Sequence, residues 1–116
     1  MANFTIQKEV KNDVCIIRTN GYLDEHGGAE LCDAVENALP DGHQKFIIDL
    51  SQSPVINSQG ISQIIELAEI IVDETNGVLA FSGLSELANG VFRMVGLLQM
   101  GESYPSEAEA LAALAE

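Results

Sequence analysis

Residues 45–60 read KFIIDLSQSPVINSQG and hold three structural signals in succession. The apolar run that begins at Phe46 and ends in Asp49-Leu50-Ser51 is typical of a buried strand. Pro54 marks a loop, and Ser58 stands where a long amphipathic pattern begins. We therefore predict a strand, a turn and a helix N-terminus that presents Ser58. The unpaired N–H groups and positive dipole end of a helix N-terminus can accept a phosphate or another anion, so Ser58 is a candidate switch residue.

Strand and helix patterns alternate along the rest of the chain. The predicted strands cover residues 4–10, 14–19, 46–50, 78–82 and 96–100. The predicted helices cover residues 28–39, 58–74, 84–95 and a last segment capped by Ser106. The first two strands should form an antiparallel hairpin, while strands joined by helices should be parallel. The chain of 116 residues is thus predicted to be a single α/β domain over residues 1–116, with four or five strands in a mixed sheet and about four helices.

The helix predicted over residues 58–74 has the clearest periodicity. Its apolar arc contains Ile61, Ile64, Ile65, Ala68, Ile71 and Val72. Ile70 falls within the polar arc, with Leu67 at its border. We therefore expect Ile70 to face solvent and to form a small apolar spot with Leu67, which either contacts a partner or is incidental.

Charge and composition exclude several classes of function. The chain has 18 acidic and 5 basic residues, giving a net charge of −13, which argues against binding to nucleic acid or anionic membranes. No apolar stretch is long enough to span a membrane, and the first residues do not resemble a signal peptide. Cys15 and Cys32 lack metal-ligand or redox spacing and are expected to be reduced and buried. These features indicate a cytoplasmic protein.

Other residues that could suggest catalysis have simpler interpretations. Asp49 lies at a strand end without a neighbouring nucleophile or phosphate loop, so it is expected to cap the following turn. His26 and His43 are isolated in predicted loops and lack a second ligand at metal spacing. We therefore expect no enzymatic activity, no cofactor and no bound metal.

Four short motifs, in this order and spacing, resemble the STAS domain of bacterial anti-sigma factor antagonists. They are GYLD at 21–24, DLS at 49–51, NSQG at 57–60 and FRMVGL at 92–97. The resemblance covers nearly the whole chain. It implies that Ser58 is the phosphoacceptor of a partner anti-sigma kinase, and that the unphosphorylated form binds this kinase and frees a sigma factor. The partner-binding residues would then be Asp24, Asn57, Ser58, Gln59 and Gly60.

The signature differs from the family pattern at two positions. Asn57 replaces an aspartate, and Gln59 replaces a second hydroxyl residue. The loss of a carboxylate beside Ser58 could change kinase recognition or the stability of the phosphate. Ser58 could also serve as the helix N-cap. Gly60 could allow close approach by a partner backbone or close packing within the domain.

Two further functions share the predicted fold. One is a constitutive scaffold or subunit of a stress-signalling or lipid-transport complex, which the changed signature favours. The other is a small-molecule binder that uses the helix N-terminus as an anion site, which the acidic surface opposes. For the oligomeric state we expect a monomer or a weak dimer.

Overall fold

The computed structural model describes residues 4–114. Its five strands are β1 (Thr5–Lys11), β2 (Val14–Asn20), β3 (Lys45–Gln52), β4 (Val78–Ser82) and β5 (Gly101–Tyr104). Its four α-helices are α1 (Glu25–Ala38), α2 (Ser58–Ala68), α3 (Glu86–Met94) and α4 (Glu107–Leu114). A π-helical segment, Glu69–Glu74, extends α2, and short 3₁₀ turns occupy Leu39–Asp41 and Leu97–Gln99.

The strands form one sheet in the order β1-β2-β3-β4-β5. β1 and β2 are antiparallel, as the short turn between them requires, and the remaining neighbours are parallel. The predicted mixed α/β sheet is therefore confirmed. Because the parallel strands are joined by helices, their carboxyl ends and the helix N-termini that follow them lie at one edge of the sheet.

β3 is at the centre of the sheet and is buried on both faces. Phe46, Ile48 and Leu50 belong to the core shared with α1, α2 and α3, whereas Ile47 belongs to a second apolar cluster under α4. The predicted alternation of facing along this strand is confirmed. Each of these side chains is almost completely buried, and such burial stabilises a fold by about 1.5–3 kcal/mol per residue.

α4 covers the opposite face of the sheet and is anchored at its first turn. The Ser106 hydroxyl accepts a hydrogen bond from the Glu109 N–H at 3.3 Å, so the predicted cap is present. The guanidinium of Arg18 on β2 donates to both carboxylate oxygens of Glu107, at 2.5 and 2.9 Å. The same guanidinium contacts Glu9 on β1 at 2.7 Å, which links three elements of structure through one cation.

The prediction of the last strand was wrong by several residues. Leu97–Gln99 forms a 3₁₀ turn, Met100 follows it, and β5 begins only at Gly101. Gly96 adopts a left-handed conformation with φ 86°, which ends α3 and turns the chain so that Leu97 enters the core. At Gly101 a Cβ atom would lie 2.8 Å from the Leu79 carbonyl oxygen, so this strand position depends on glycine.

α3 leaves part of its apolar surface outside the core. Leu87 and Val95 are 75% and 43% exposed. The inner face instead presents Ala88 and Phe92, and the Phe92 ring packs edge-to-face on Phe81 of β4 with centroids 5.1 Å apart.

The interpretation of Leu67 and Ile70 as an exposed apolar spot was wrong. Leu67 is completely buried and Ile70 is half-buried. Close packing of α1 against the Gly60 side of α2 buries the arc that includes Leu67. Ile70 lies in the π-helical segment, where Thr75 donates to the Ile70 carbonyl at 3.1 Å, and a wider turn changes the phase of the faces.

Both cysteines are free and buried, as predicted. The Cys32 thiol on α1 donates to the Gln63 carbonyl of α2 at 3.2 Å. Burial raises the pKa of this thiol to about 11, and the carboxylates of Glu66, Glu36 and Asp33 contribute to the rise. The Cys32 side chain is therefore a packing residue rather than a thiolate nucleophile.

Candidate functional site

The N-terminus of α2 is capped by Asn57, and Ser58 is the first helical residue. The Asn57 side-chain oxygen accepts a hydrogen bond from the Gly60 N–H at 2.8 Å. Ser58 is exposed. The predicted position of Ser58 at the helix N-terminus is confirmed, but the interpretation of Ser58 as the cap was wrong. Because the neighbouring asparagine provides the cap, the Ser58 hydroxyl is not needed to start the helix.

Asp24 caps α1 in the same way, with its Oδ1 atom accepting from the Gly27 N–H at 2.9 Å. The two caps are brought together by backbone pairing between the loops that precede them. Leu23 donates to the Val55 carbonyl at 3.1 Å and accepts from the Asn57 N–H at 3.1 Å. This parallel bridge places Asp24 and the start of α2 at one edge of the sheet.

Gly60 is buried where the two helix N-termini meet. A Cβ atom on residue 60 would overlap the Leu23 carbonyl oxygen and would lie 3.1 Å from the Cγ2 atom of Ile56. Gly28 on α1 makes the matching contact, since its Cβ would lie 2.6 Å from the Cβ of Gln63. Close packing within the domain therefore explains this glycine pair. A direct contact of Gly60 with a partner stays a prediction.

Gln59 lies beside Ser58 on the surface, and the Asn57 side-chain amide donates to its Oε1 atom at 3.5 Å. The first turn of α2 carries no acidic residue, whereas the first turn of α1 contains Glu25 and that of α3 contains Glu86. Among the α-helices of residues 4–114, α2 is thus the one whose positive dipole end has no carboxylate in its own first turn to offset it.

A third helix N-terminus joins this edge through Ser85, which the sequence did not single out. Its hydroxyl accepts from the Ala88 N–H at 3.1 Å and donates to the Pro54 carbonyl at 3.3 Å. The second contact ties α3 to the loop that leads into α2. The sequence gives little sign of this cap. Ser85 comes shortly after β4, but the residue three positions later is Ala88 and not the glutamate or glutamine of a capping box.

The loop between β3 and α2 is fixed from below by buried polar groups. The Asp49 carboxylate accepts from the Ser51 N–H at 2.8 Å, which confirms its predicted role in capping the turn. Burial raises the pKa of Asp49, whereas hydrogen bonds to its charged carboxylate, among them the one from the Ser51 N–H, lower it, and the net pKa lies below the usual value. The hydroxyls of Thr19 and Ser53 lie 2.7 Å apart beneath the loop, so its course does not depend on Pro54 alone.

A small apolar cavity lies beside the site. It has a volume of about 100 Å³. Its lining residues are Pro54, Ile56, Ile61, Leu87, Ala88 and Val91. Between residues 4 and 114 no three His, Cys, Asp or Glu side chains are grouped to hold a metal ion. None of the helices in this range is both long and apolar enough to cross a membrane.

The family model described as the STAS domain matches residues 5–110. An anti-sigma factor antagonist from Mycobacterium paratuberculosis is 22% identical, with coverage of 98% of this chain and 96% of that chain and a TM-score of 0.83. An anti-sigma-factor antagonist (STAS) domain protein from Planctomyces limnophilus is 20% identical, with coverage of 93% and 95% and a TM-score of 0.75.

A third similar structure is the phosphorylated form of the Bacillus cell fate determinant SpoIIAA. It is 20% identical, with coverage of 95% of this chain and 99% of that chain and a TM-score of 0.74. At these identities the structural similarity establishes the fold, and the family match extends over nearly all of the chain. The chain therefore belongs to the STAS domain family.

Proposed function

We propose that this protein is a non-enzymatic regulatory module, an anti-sigma factor antagonist whose partner binding is switched by phosphorylation of Ser58. The observation that supports this proposal is the exposed Ser58 at the first position of α2, next to a cap supplied by Asn57. The hydroxyl is free to be modified without removing a structural contact. The expected partner is an anti-sigma factor with serine kinase activity, and both proteins would act in the cytoplasm.

The local electrostatics favour a phosphate that leaves the fold intact. Within residues 4–114, the N–H groups of Ser58 and Gln59 have no hydrogen-bond acceptor, and the first turn of α2 has no carboxylate. A phosphate on Ser58 would lie at the positive end of the helix dipole, where negative charge is stabilising. Phosphorylation would therefore act on the surface presented to a partner rather than on folding.

The proposed partner surface is centred on the exposed side chains of Ser58 and Gln59. Asp24 and Asn57 border it and are half-buried, while Gly60 lies beneath it. A phosphate would add about −1.5 to −2 charges at its centre. In a chain of net charge −13, this change would weaken a close and partly desolvated interface through repulsion and desolvation. SpoIIAA, an anti-sigma factor antagonist of similar fold, has been solved in phosphorylated and unphosphorylated forms.

The proposal can be tested by capture from the native cell. The full chain is used as bait, and its intact mass is measured with and without ATP. We expect a captured kinase and, with ATP, a mass increase that is absent in Ser58→Ala. A mass increase that persists in Ser58→Ala would show that another residue is modified and would contradict the proposal.

A constitutive scaffold or subunit is the alternative, and the capping role of Asn57 favours it. Asparagine is as good a helix cap as aspartate, so the structure accounts for Asn57 without any kinase. A scaffold would bind its partner equally well with Ser58→Asp and Ser58→Ala. A switched antagonist would keep its affinity for the partner in the Ser58→Ala variant and lose affinity in the Ser58→Asp variant.

A further inference from the structure

α3 has an outward apolar face that the domain leaves uncovered. Leu87 and Met94 are 75% and 83% exposed, and Val91 between them is half-buried. Together with Gly90, these residues lie three, four and seven positions apart, which places them along one side of the helix. Single exposed apolar residues are ordinary, but an aligned row indicates an interaction surface. We refer to Leu87, Gly90, Val91 and Met94 as the α3 stripe.

Gly90 has no explanation inside the domain. A Cβ atom at this position would meet nothing within 4 Å. Glycine in a helix interior is destabilising relative to alanine, so a helix that needed only to pack on its own core would gain from alanine here. A missing side chain in the middle of the α3 stripe instead allows another backbone to approach it closely.

The α3 stripe is electrically neutral in an acidic molecule. Between Glu74 and Glu102 the only charged residues are Glu86 and Arg93, whereas the whole chain carries −13. Both are exposed and flank the α3 stripe, and within residues 4–114 neither takes part in a salt bridge. The α3 stripe therefore has one negative side chain near its first residue and one positive side chain near its last.

We propose that the α3 stripe binds the α3 stripe of a second copy of this chain, with the two helices antiparallel and a two-fold axis near Gly90. This orientation pairs Leu87 with Met94 of the second copy. It also brings Glu86 next to Arg93 of the second copy, and the symmetry makes that ion pair twice. In a parallel arrangement the Glu86 and Arg93 side chains of the two copies would lie on opposite sides of the contact and could not pair, so charge complementarity selects the antiparallel dimer.

The self-complementary charge pattern favours a second copy over an unrelated protein. An unrelated partner would require an apolar surface but would not require opposite charges at Glu86 and Arg93, four positions before and three after Gly90. The inference does not require phosphorylation at Ser58, although Leu87 and Val91 of the α3 stripe also line the apolar cavity beside the start of α2.

Sedimentation velocity of the full chain over a wide concentration range tests the dimer. Salt of about 0.15 M shortens the Debye length to about 8 Å and screens the repulsion between the acidic copies. We expect a reversible monomer–dimer equilibrium whose Kd rises about tenfold or more in Leu87→Ser. Val10→Ser is the matched control. Val10 is also exposed, at 48%, but it lies on the edge strand β1 and not on α3. A monomer at every concentration, or an equal effect of the control, would overturn the proposal.

Charge exchange tests the orientation. Glu86→Arg alone and Arg93→Glu alone should each raise the Kd about threefold or more, because each puts like charges together twice per dimer. The double variant should recover most of the lost affinity, since the pairs are restored with reversed sign. Circular dichroism confirms that each variant keeps its helices. If the double variant is as weak as the sum of the single changes, the antiparallel arrangement is wrong.

Discussion

The carbonyl oxygen of Leu23 occupies the space that a Cβ atom on residue 60 would need. The same carbonyl accepts the Asn57 N–H at 3.1 Å, so one backbone group of the α1 loop holds the cap of α2 and requires glycine three residues later. The position of Ser58 thus depends on a contact between two loops that are distant in sequence.

Replacement of Gly60 should therefore be costly. Gly60→Ala should lower the free energy of unfolding by about 1–3 kcal/mol, because the added methyl must displace the Leu23 backbone. Gly90→Ala is the matched control, since its methyl enters open space in a helix and should raise the free energy of unfolding by about 0.5–1 kcal/mol. Urea unfolding at low protein concentration measures both. Two changes of the same sign would contradict this difference in packing between Gly60 and Gly90.

The division of roles between Asn57 and Ser58 gives a second prediction. Asn57→Ala should cost about 1 kcal/mol of stability because the Gly60 N–H loses its acceptor. Asn57→Asp should keep the cap, and Ser58→Ala should change stability by less than about 0.5 kcal/mol. Thermal or urea unfolding distinguishes these cases. A larger loss in Ser58→Ala than in Asn57→Ala would assign the cap to the serine.

The parts of the fold that local pattern determines were predictable from the sequence. The run from Phe46 to Leu50 is apolar at every position except Asp49, which is typical of a strand covered on both faces. The start of α2 was equally readable, because asparagine and serine are favoured at a helix N-terminus. The central strand and the place of Ser58 follow from these two patterns.

Features set by contacts between distant segments were not predictable. The burial of Leu67 depends on the close approach of α1, which Gly28 and Gly60 permit, and a helical wheel of α2 alone contains no such information. The start of β5 depends on the left-handed turn at Gly96 and on the backbone of a neighbouring strand at Gly101. The apolar residues between Gly96 and Gly101 fit a strand or a turn equally well when the neighbouring strand is not known.

Asp49 gives a prediction about pH. Its folded pKa lies below the ordinary value of 3.8, so its charged form stabilises the fold above that pH. This contribution should be lost as the pH falls below 3.8 through the folded pKa. Because protonation of other carboxylates also relieves the repulsion within the chain, the informative quantity is the difference in stability between the wild type and Asp49→Asn. That difference should shrink in acid, and a constant difference from neutral pH to acid would contradict the prediction.

The last prediction separates an effect on folding from an effect on binding. Ser58→Asp places a carboxylate in the first turn of α2, where it should stabilise the helix by about 0.3–1 kcal/mol. If the proposed antagonist function is correct, the same variant should weaken partner binding about tenfold or more, whereas Ser58→Ala should bind nearly as well as the wild type.

Ser62→Asp is the control for this test. Ser62 is exposed one turn further along α2 and its hydroxyl donates to the Ser58 carbonyl at 3.1 Å, so the variant adds the same charge on the same side of the helix. Unfolding curves and titration calorimetry with the captured partner measure stability and affinity on the same samples. A switch centred on Ser58 requires a more stable but weakly binding Ser58→Asp protein, together with a smaller loss of affinity in Ser62→Asp. If both aspartate variants weaken binding equally, general repulsion by the acidic surface explains the effect and Ser58 has no special position in the interface.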